Sequence, residues 1–519
     1  MSSTQLKTGK FVEFYVATPD GGITQITSHD LDQIAYLCTD GLQPMMVRQL
    51  ISNELGLNDK SWSDHFDPVL EAIRNNSPRP LPSSYLDIVN KFNLCSAMPV
   101  SDKGHISWRP NGVVIREAIE AAARNVAMEW GAHEMVNPMY IDINNNTIGQ
   151  LLGEFHERDY RVIGDPGKRE GILRYASDPV AFPFMSMVVV NESQTPFRVF
   201  EAANCFRNEQ EGEVSGLRRV RHFLMTDQHA GCSSVEQGKQ EYYDLTMRFG
   251  ELNDQVIAKG RWVLGWELTR DYMKENLEFL LKMTRDLNVP AFFKVLPERT
   301  HYWNVKSEYQ ALSPSGYNVQ VSTVQWDEID GARFNMGYNN KKGTFTPYPV
   351  IVHASSFGSL ERAMCIMLES TIYDIISQFQ KGKQAVPSLP LWISPSQVRI
   401  LPVYSSSKQD NDARLQASID LAKKLHTYGI RAEVDDRENL TIGKRIAHAS
   451  QHWTPYIVVI GDKEIQSNTL SATRRTDGQK LVLDEMALIH EIIGGIGSMP
   501  RIEMRQPYLL SMQASYMVP

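Results

Sequence analysis

Apolar and polar positions alternate along Val199–Cys232, which predicts two strands joined by a polar loop. The first strand is expected over Phe200–Asn208, the turn over Glu209–Leu217 and the second strand over Arg219–His229. One face of the second strand carries the odd positions, namely Arg219, Arg221, Phe223, Met225, Asp227 and His229. The opposite face is no better suited to a hydrophobic core, so we expect both faces to be buried. Buried charged side chains require partners. The hairpin therefore predicts a ligand-binding face rather than a solvated one.

Composition shifts divide the chain into three predicted regions. We expect a small N-terminal module over residues 1–83, a central domain over 84–388 and a C-terminal domain over 389–519. The proline-containing stretches Ser77–Ser84 and Gln380–Pro390 are typical of linkers. From Gln397 onwards strands and helices alternate regularly, which predicts a separate α/β domain. The pattern gives the N-terminal module no chemical role.

Local periodicity predicts further elements. Helices are expected over Pro44–Leu55 and Val113–Trp130, and strands over Phe11–Thr18 and Glu134–Tyr140. Pro138 lies inside the last of these, and a proline confines a strand to an edge, a bulge or a strand start. That segment is therefore predicted to be an edge strand.

Two later segments carry polar side chains at element ends. Gln320–Asp327 alternates, so Gln320 and Gln325 fall on opposite faces unless a bulge intervenes. Ser359 follows an apolar strand and is a predicted helix N-cap. Arg362 then lies in the first helical turn, where backbone amides and a cation can converge on an anion.

The composition excludes several classes of protein. The formal net charge of −8 argues against nonspecific binding to a polyanion, so a nucleic acid must meet a local basic patch. Five scattered cysteines without a CxxC pair argue against a disulfide framework or a cysteine-rich zinc ribbon. Because no apolar run approaches membrane-spanning length and no signal sequence is visible, we expect a cytoplasmic protein.

Three segments resemble the signature motifs of class II aminoacyl-tRNA synthetases. FRNEQ-x5-GLRRVRHF over Phe206–Phe223 is similar to motif 2, Gly131–Tyr140 to motif 1 and FGSLER over Phe357–Arg362 to motif 3. The C-terminal DDREN, IGKRI and VVIGDKE segments resemble the anticodon-binding domain of one subclass. The resemblance implies an α+β catalytic domain with a six- to seven-stranded antiparallel sheet flanked by helices, and a homodimer joined at motif 1.

Within that subclass the sequence is most similar to archaeal threonyl enzymes, over roughly residues 84–491. The resemblance implies one zinc ion per subunit, held by His229, His353 and a third ligand that is a cysteine in the family. Here Asp178 stands at the cysteine position. A carboxylate is an acceptable zinc ligand, although an Asp before Pro179 more often caps a turn or helix.

The same resemblance assigns the remaining roles. Threonine would be bound by Asp227 and Gln325, and ATP with Mg²⁺ by Arg207, Glu209, Arg219, Phe223, Gln320, Gln325, Ser359 and Arg362. Arg207, Arg219 and Arg362 would be the catalytic groups. The transfer RNA for threonine would be bound by Lys444, Arg445, Glu464, Arg474 and Arg475. Met225 departs from the bacterial motif 2, where a glutamine is usual.

An editing domain is expected to be missing from this chain. Residues 1–83 are too short for one, and the HxxxH at His448–His452 lies on a predicted helix of the C-terminal domain. We therefore expect a catalytic form that depends on a separate deacylase for seryl-tRNA. Two alternatives stay open, namely a prolyl-like enzyme of the same subclass and a tRNA-binding paralogue without catalytic activity.

Overall fold

The computed structural model describes residues 12–34, 42–76, 81–144, 158–164 and 170–516. Part of the predicted linker (77–80), the first residue of the predicted N-terminal strand (Phe11) and Cys38 lie outside these ranges. The other four cysteines are free thiols.

The strands of the described residues are, in chain order, β1 (Glu13–Ala17), β2 (Ile23–Ile26), β3 (Cys95–Ala97), β4 (Ile106–Trp108), β5 (His133–Glu134), β6 (Tyr140–Asp142), β7 (Tyr160–Val162), β8 (Gly171–Leu173), β9 (Phe197–Phe206), β10 (His222–Cys232), β11 (Val263–Thr269), β12 (Ala291–Leu296), β13 (Trp303–Leu312), β14 (Asn318–Asp327), β15 (Gly337–Asn339), β16 (Phe345–Pro347), β17 (Val350–Ser359), β18 (Val398–Pro402), β19 (Ala432–Val434), β20 (Tyr456–Ile460), β21 (Leu470–Arg474) and β22 (Lys480–Leu483).

The helices of the same residues are α1 (Leu42–Glu54), α2 (Ser61–Asn76), α3 (Tyr85–Phe92), α4 (Pro110–Glu129), α5 (Asp178–Ser186), α6 (Val235–Asn253), α7 (Arg270–Leu287), α8 (Asp330–Arg333), α9 (Leu360–Gln380), α10 (Lys408–Thr427), α11 (Ile442–Gln451), α12 (Asp462–Ser467) and α13 (Glu485–Ile496). The predicted helices Pro44–Leu55 and Val113–Trp130 correspond to α1 and α4.

The chain divides into two compact units, one of residues 1–68 and 123–370 and the other of residues 69–122 and 371–519. The first unit contains a ten-stranded sheet in the order β2-β1-β12-β11-β13-β14-β17-β10-β9-β5. Its six consecutive strands from β11 to β9 are antiparallel, as predicted. The sheet is wider than predicted because β12 and β5 add parallel pairs and the N-terminal hairpin β1–β2 extends one edge.

The predicted strand over Glu134–Tyr140 is largely wrong. Only His133–Glu134 pairs with the sheet, at the edge beside β9, and Pro138 lies in the connection that follows. This connection is held by Asn137, whose backbone N–H and side-chain amide both donate to the buried Glu201 carboxylate at 2.9 Å. Met135 still donates to the Phe200 carbonyl at 2.9 Å, and beyond it the Glu201 side chain takes the place of the ladder hydrogen bonds that the sequence pattern predicted.

Large aromatic side chains fill the core beside the central strands. Trp262, Trp266, Trp326 and Tyr309 are almost completely buried, and each aromatic side chain of this size contributes roughly 1.5–3 kcal/mol through burial. Helix α6 is held on the sheet through Tyr242, whose hydroxyl donates to the Val324 carbonyl at 3.1 Å. The core therefore fixes β14, which carries part of the site described below.

The second unit contains a five-stranded sheet in the order β19-β18-β20-β21-β22. Strands β19, β18 and β20 are parallel, and β21 and β22 add antiparallel pairs. This confirms the α/β pattern predicted after Gln397. Among the described residues, no helix is long and apolar enough to cross a membrane.

Candidate functional site

Two histidines meet on neighbouring strands of the large sheet. His229 on β10 lies directly opposite His353 on β17, and the two ring centroids are 4.9 Å apart. Asp178, the first residue of α5, brings one carboxylate oxygen to 2.9 Å from His229 Nε2 and 3.8 Å from His353 Nδ1. The structure therefore brings together all three residues predicted to bind a metal.

Electrostatics ties these three groups together. Burial alone would lower the pKa of His353, but the carboxylates of Asp178 and Asp327 raise it to about 10. Burial would raise the pKa of Asp178, yet the two histidines hold it well below its usual range. Burial and the nearby Asp178 raise the pKa of Asp227 to about 6. The cluster thus places negative charge where a cation can replace a proton.

The donor set fits a divalent cation. The candidate ligand atoms of Asp178, His229 and His353 all lie within 4.8 Å of one another. Within the described residues, the buried Nδ1 atom of His353 has no hydrogen-bond partner. Two imidazole nitrogens and one carboxylate oxygen are ligands that zinc commonly takes, and three protein ligands leave positions open for a substrate.

A cleft of about 1100 Å³ opens beside this cluster. Its lining includes the three metal-ligand candidates together with Asp227, Gln325 and Tyr302. Asp227 is buried and accepts a hydrogen bond from the Ser177 hydroxyl, which fixes its carboxylate. The cleft therefore has room for a small molecule between the metal-ligand cluster and a second carboxylate.

An adjoining cavity is lined by all eight residues predicted to bind ATP, namely Arg207, Glu209, Arg219, Phe223, Gln320, Gln325, Ser359 and Arg362. Six residues line both the cavity and the cleft: Arg207, Met225, Lys306, Thr323, Gln325 and Ser355. Two ligands bound in the two spaces would therefore touch.

A bulge in β14 brings Gln320 and Gln325 into the same cavity. Gln310 of β13 pairs with Gln320, and Glu308 pairs with Thr323, so β14 contains one extra residue between these pairs. The extra residue reverses the alternation, and a bulge of this kind re-aims side chains beside a site. Strict alternation placed the two glutamines on opposite faces unless a bulge intervened, and the structure contains that bulge.

The cavity concentrates positive charge. Burial and the neighbouring Arg207 and Arg219 lower the pKa of Arg362. The Arg362 guanidinium donates to the carbonyls of Arg218 at 3.3 Å and Gln320 at 3.4 Å. Ser359 is an N-cap as predicted, because its hydroxyl accepts from the Arg362 N–H at 3.2 Å. Guanidinium groups that repel one another are stabilised by a polyanion such as a triphosphate.

The carboxylate and the ring predicted to contact the base also face this cavity. Glu209 pairs with Arg219 at 2.7 Å and with Arg158 at 3.2 Å. The Arg207 guanidinium lies 5.2 Å from the centroid of the Phe223 ring. A planar ligand group therefore has an aromatic side chain and a buried hydrogen-bond acceptor within the same cavity.

Arg221 does not belong to the ligand-binding face on which the alternation placed it. Regular β10 begins only at His222, and the buried Arg221 guanidinium donates to the Glu209 carbonyl at 2.8 Å. Arg221 thus stabilises the turn that presents Glu209.

Tyr302 and Lys306 also line the cleft, although no sequence motif contains them. Tyr302 donates to the Gln325 side chain, and Lys306 on β13 lies directly opposite Gln325. A register irregularity between Trp303 and Val305 precedes Lys306. The available signal is the pair of charged residues Lys306 and Glu308 inside a strand whose ends are apolar, since buried charges require partners.

The predicted RNA-binding residues of the second unit differ in exposure. Lys444 is exposed, whereas Arg445 is only 1% exposed and donates to the carbonyls of Asp435 and Pro402. Arg445 therefore stabilises the interior, which corrects its assignment to an RNA-facing surface. The Glu464 carboxylate accepts from the Gly461 N–H at 3.0 Å and caps α12.

Arg474 and Arg475 are both half-buried. Arg474 pairs with Asp477 and Glu491 at 2.6 Å, and Arg475 donates to the Pro387 carbonyl. A phosphate contact by either residue would have to compete with these existing partners.

His448 and His452 lie at the end of α11, and their rings stack at 4.0 Å. Arg399 donates to His448 Nδ1 at 2.9 Å, and burial together with His452 and Arg399 lowers the pKa of His448 to about 4. Neither histidine belongs to a possible metal-ligand group within the described residues. The pair is explained by packing in its own domain.

Family models match two parts of the chain. The tRNA synthetase class II core domain (G, H, P, S and T) matches residues 160–371, and the anticodon binding domain matches residues 397–494. A solved structure described as the RNA binding domain of threonyl-tRNA synthetase from Cryptosporidium parvum shares the fold. It has a TM-score of 0.67 and 21% identity, and the match covers 80% of this chain and 99% of that one.

Curated archaeal proteins named threonine–tRNA ligase are similar over most of the chain. The Methanococcus aeolicus protein is 31% identical over 93% of this chain and 71% of its own length. The Methanopyrus kandleri protein is 30% identical over 95% and 74%, and the Methanobrevibacter smithii protein is 31% identical over 80% and 65%. The aligned chain therefore spans between 65% and 74% of the length of these relatives.

Proposed function

This chain belongs to the threonine–tRNA ligase family, and we propose that it activates L-threonine with ATP and transfers the threonyl group to the 3′ end of tRNA(Thr). The observation that carries the proposal is the continuity of the two spaces at the site. The cleft beside Asp178, His229 and His353 shares its lining with the arginine-rich cavity. An amino acid and a nucleoside triphosphate bound there would meet at Arg207.

In this account the arginine-rich cavity binds ATP together with Mg²⁺. Arg207 holds the α-phosphate and the attacking carboxylate, while Arg219 and Arg362 bind the outer phosphates. Phe223 stacks on the adenine ring, and Glu209 accepts from its amine once ATP has replaced the pairing with Arg219. The reaction is an in-line attack of the threonine carboxylate on the α-phosphate, promoted by positioning and charge neutralisation.

Asp178, His229 and His353 would hold zinc, which when bound supplies a Lewis acid for the amino group and β-hydroxyl of threonine. Asp227, fixed by Ser177, orients the amino group, and Gln325 with its partner Tyr302 borders the same cleft. Valine is nearly isosteric with threonine, and an apolar pocket separates such pairs poorly. A site that must bind a hydroxyl rejects valine, whereas serine loses only a methyl contact of roughly 1–3 kcal/mol.

Weak rejection of serine makes a separate editing deacylase necessary in this proposal. The HxxxH segment is accounted for by packing against Arg399, and the described N-terminal strands extend the large sheet. A seryl-tRNA(Thr) hydrolysis assay with the purified chain tests this part, and rapid hydrolysis would contradict it.

The proposed macromolecular partners bind residues that do not line the cleft. Transfer RNA meets the second unit at the exposed Lys444. The exposed Lys463 and the half-buried Arg474 and Arg475 supply further positive charge to the same unit. A second copy of the chain would cover the motif 1 segment, where Val136 is 90% exposed and Met139 and Tyr140 are also exposed. Exposed apolar side chains in such a cluster mark an interaction surface.

The test is ATP–pyrophosphate exchange with threonine, serine, valine and proline as separate substrates. We expect the fastest exchange with threonine, slower but measurable exchange with serine and at least about 100-fold slower exchange with valine. Exchange with proline in preference to threonine would support the prolyl-like alternative. No exchange with any amino acid would support the paralogue without catalytic activity.

A further inference from the structure

His353 faces a second carboxylate on the side away from Asp178. Its Nε2 atom lies 3.0 Å from Oδ2 of Asp327, the last residue of β14. Both side chains are buried, with His353 5% exposed and Asp327 1% exposed. A hydrogen bond between such buried groups is strong and fixes the orientation of the ring.

Asp327 is itself held by the backbone. Its Oδ1 atom accepts from the N–H groups of Ile329 at 2.7 Å and Asp330 at 3.1 Å. One carboxylate oxygen is therefore used by the turn after β14, and the other is aimed at the imidazole. Oδ2 of Asp327 accepts a hydrogen bond in this contact, so the Nε2 atom of His353 carries a proton.

A ring that binds a metal ion has lost its second proton, and with Nε2 still protonated the lone pair of His353 then lies on Nδ1. This is the atom that lies 3.8 Å from Asp178 Oδ1 and has no hydrogen-bond partner within the described residues. His229 differs, because its Nε2 atom faces Asp178 and its buried Nδ1 has no partner in the same part of the chain. Within the described residues, only His353 therefore has a carboxylate on the side of its ring away from Asp178.

We propose that Asp327 is a positioning residue that selects the Nε2–H tautomer of His353 and so presents Nδ1 to the metal ion. The inference rests on the proposed function, which places zinc between Asp178, His229 and His353. A carboxylate that orients a metal-binding histidine typically accounts for a 10–100-fold effect on metal affinity.

The substitution Asp327→Asn tests this assignment because the shape of the side chain is kept. The two backbone N–H groups require an acceptor, so the asparagine oxygen faces them and its NH₂ group faces His353. The imidazole must then accept at Nε2 and carry its proton on Nδ1, the atom needed for the metal. Glu328→Gln is a matched control, because Glu328 is the next residue in the chain and is exposed. Its carboxylate accepts hydrogen bonds from the Trp326 and Asn304 side chains.

The measurement is the Kd of the full chain for Zn²⁺ and Co²⁺, obtained by competition with a chromophoric chelator. We expect Asp327→Asn to bind both ions about 10–100-fold more weakly than the unsubstituted chain, and Glu328→Gln to bind them equally. An Asp327→Asn variant that keeps the original Kd for both ions would overturn the inference.

ATP affinity measured on the same samples controls for the fold, because Asp327 does not line the ATP cavity. If Asp327→Asn also weakens ATP binding, Asp327→Glu separates a tautomer effect from a folding defect, since glutamate keeps a carboxylate that only accepts hydrogen bonds. Metal binding by Asp327→Glu within about 3-fold of the original supports the inference, and a loss equal to that of Asp327→Asn overturns it. An unsubstituted chain that binds neither ion would refute the proposed zinc site instead.

Discussion

At the scale of single residues, the site could be predicted wherever a motif fixed the position of a side chain. Asp178, His229 and His353 converge, and the competing cap assignment for Asp178 is not needed. Asp178 does begin α5, but its carboxylate faces His229 rather than a free backbone N–H. Tyr302 and Lys306 were missed because neither lies in a motif, and the burial of Arg445 cannot be read from its charge alone.

Replacing Asp178 tests the most unusual ligand of the proposed metal site. Asp178→Ala removes one of three protein ligands, so zinc should bind more than about 100-fold more weakly, beyond the usual effect of an orienting group. Asp178→Cys should keep zinc, because a thiolate is a good ligand for this ion. Zinc content after dialysis measures both, and full retention by Asp178→Ala would show that Asp178 is not a ligand.

At the scale of elements, irregularities in two strands assemble the cavity. The extra residue in β14 gathers Gln320 and Gln325, and a second irregularity lies opposite Met225–Asp227 in β17. Strand alternation is read by counting residues along the sequence, and that count cannot show where a strand contains an extra residue. Helix α4 and the α/β alternation after Gln397 were predictable because their periodic patterns continue without interruption. A bulge interrupts such a pattern and leaves no local signal of its own.

Position 358 in β17 requires a glycine because of its backbone conformation and because the Val321 carbonyl lies close to it. Its φ is +63°, and an added Cβ would lie 2.6 Å from the Val321 carbonyl oxygen. We expect Gly358→Ala to lower the free energy of unfolding by more than the roughly 1–2 kcal/mol of a left-handed conformation, and to weaken ATP binding.

Gly343→Ala is the matched control, because Gly343 has φ +75° and nothing within 4 Å of an added Cβ. Urea unfolding and ATP titration of both variants separate the steric contribution from the conformational one. Equal losses in the two variants would contradict the close approach to Val321.

Helix α9 carries a buried carboxyl group whose ionisation depends on folding. Glu369 is 4% exposed, and burial raises its pKa to about 7. Because the folded pKa lies above that of an unfolded glutamate, the contribution to stability is complete below about pH 4.5 and is lost as the pH rises through 7. The loss amounts to about 3 kcal/mol.

Glu369→Gln should remove this pH dependence. The variant should be more stable than the unsubstituted chain at pH 8 and gain nothing at pH 4.5, as measured by urea unfolding at the two values. An equal stability difference at both pH values would show that Glu369 is not the titrating group.

At the scale of the whole molecule, the fold class followed from three motifs in order, and the family models match the corresponding regions. The six antiparallel strands were expected, whereas the extension of the sheet by β1 and β2 was not. Strand β1 pairs with β12, which lies far away in sequence. A local pattern predicts that a strand forms but not which distant edge it covers.

The most direct test of the central claim is the absorption spectrum of the Co²⁺-loaded chain during titration with threonine and with valine. Binding of the amino group and β-hydroxyl should change the coordination of the ion, so threonine should shift the visible bands and saturate. Valine at the same concentrations should leave them almost unchanged. Bands that respond to neither amino acid, or equally to both, would contradict the account.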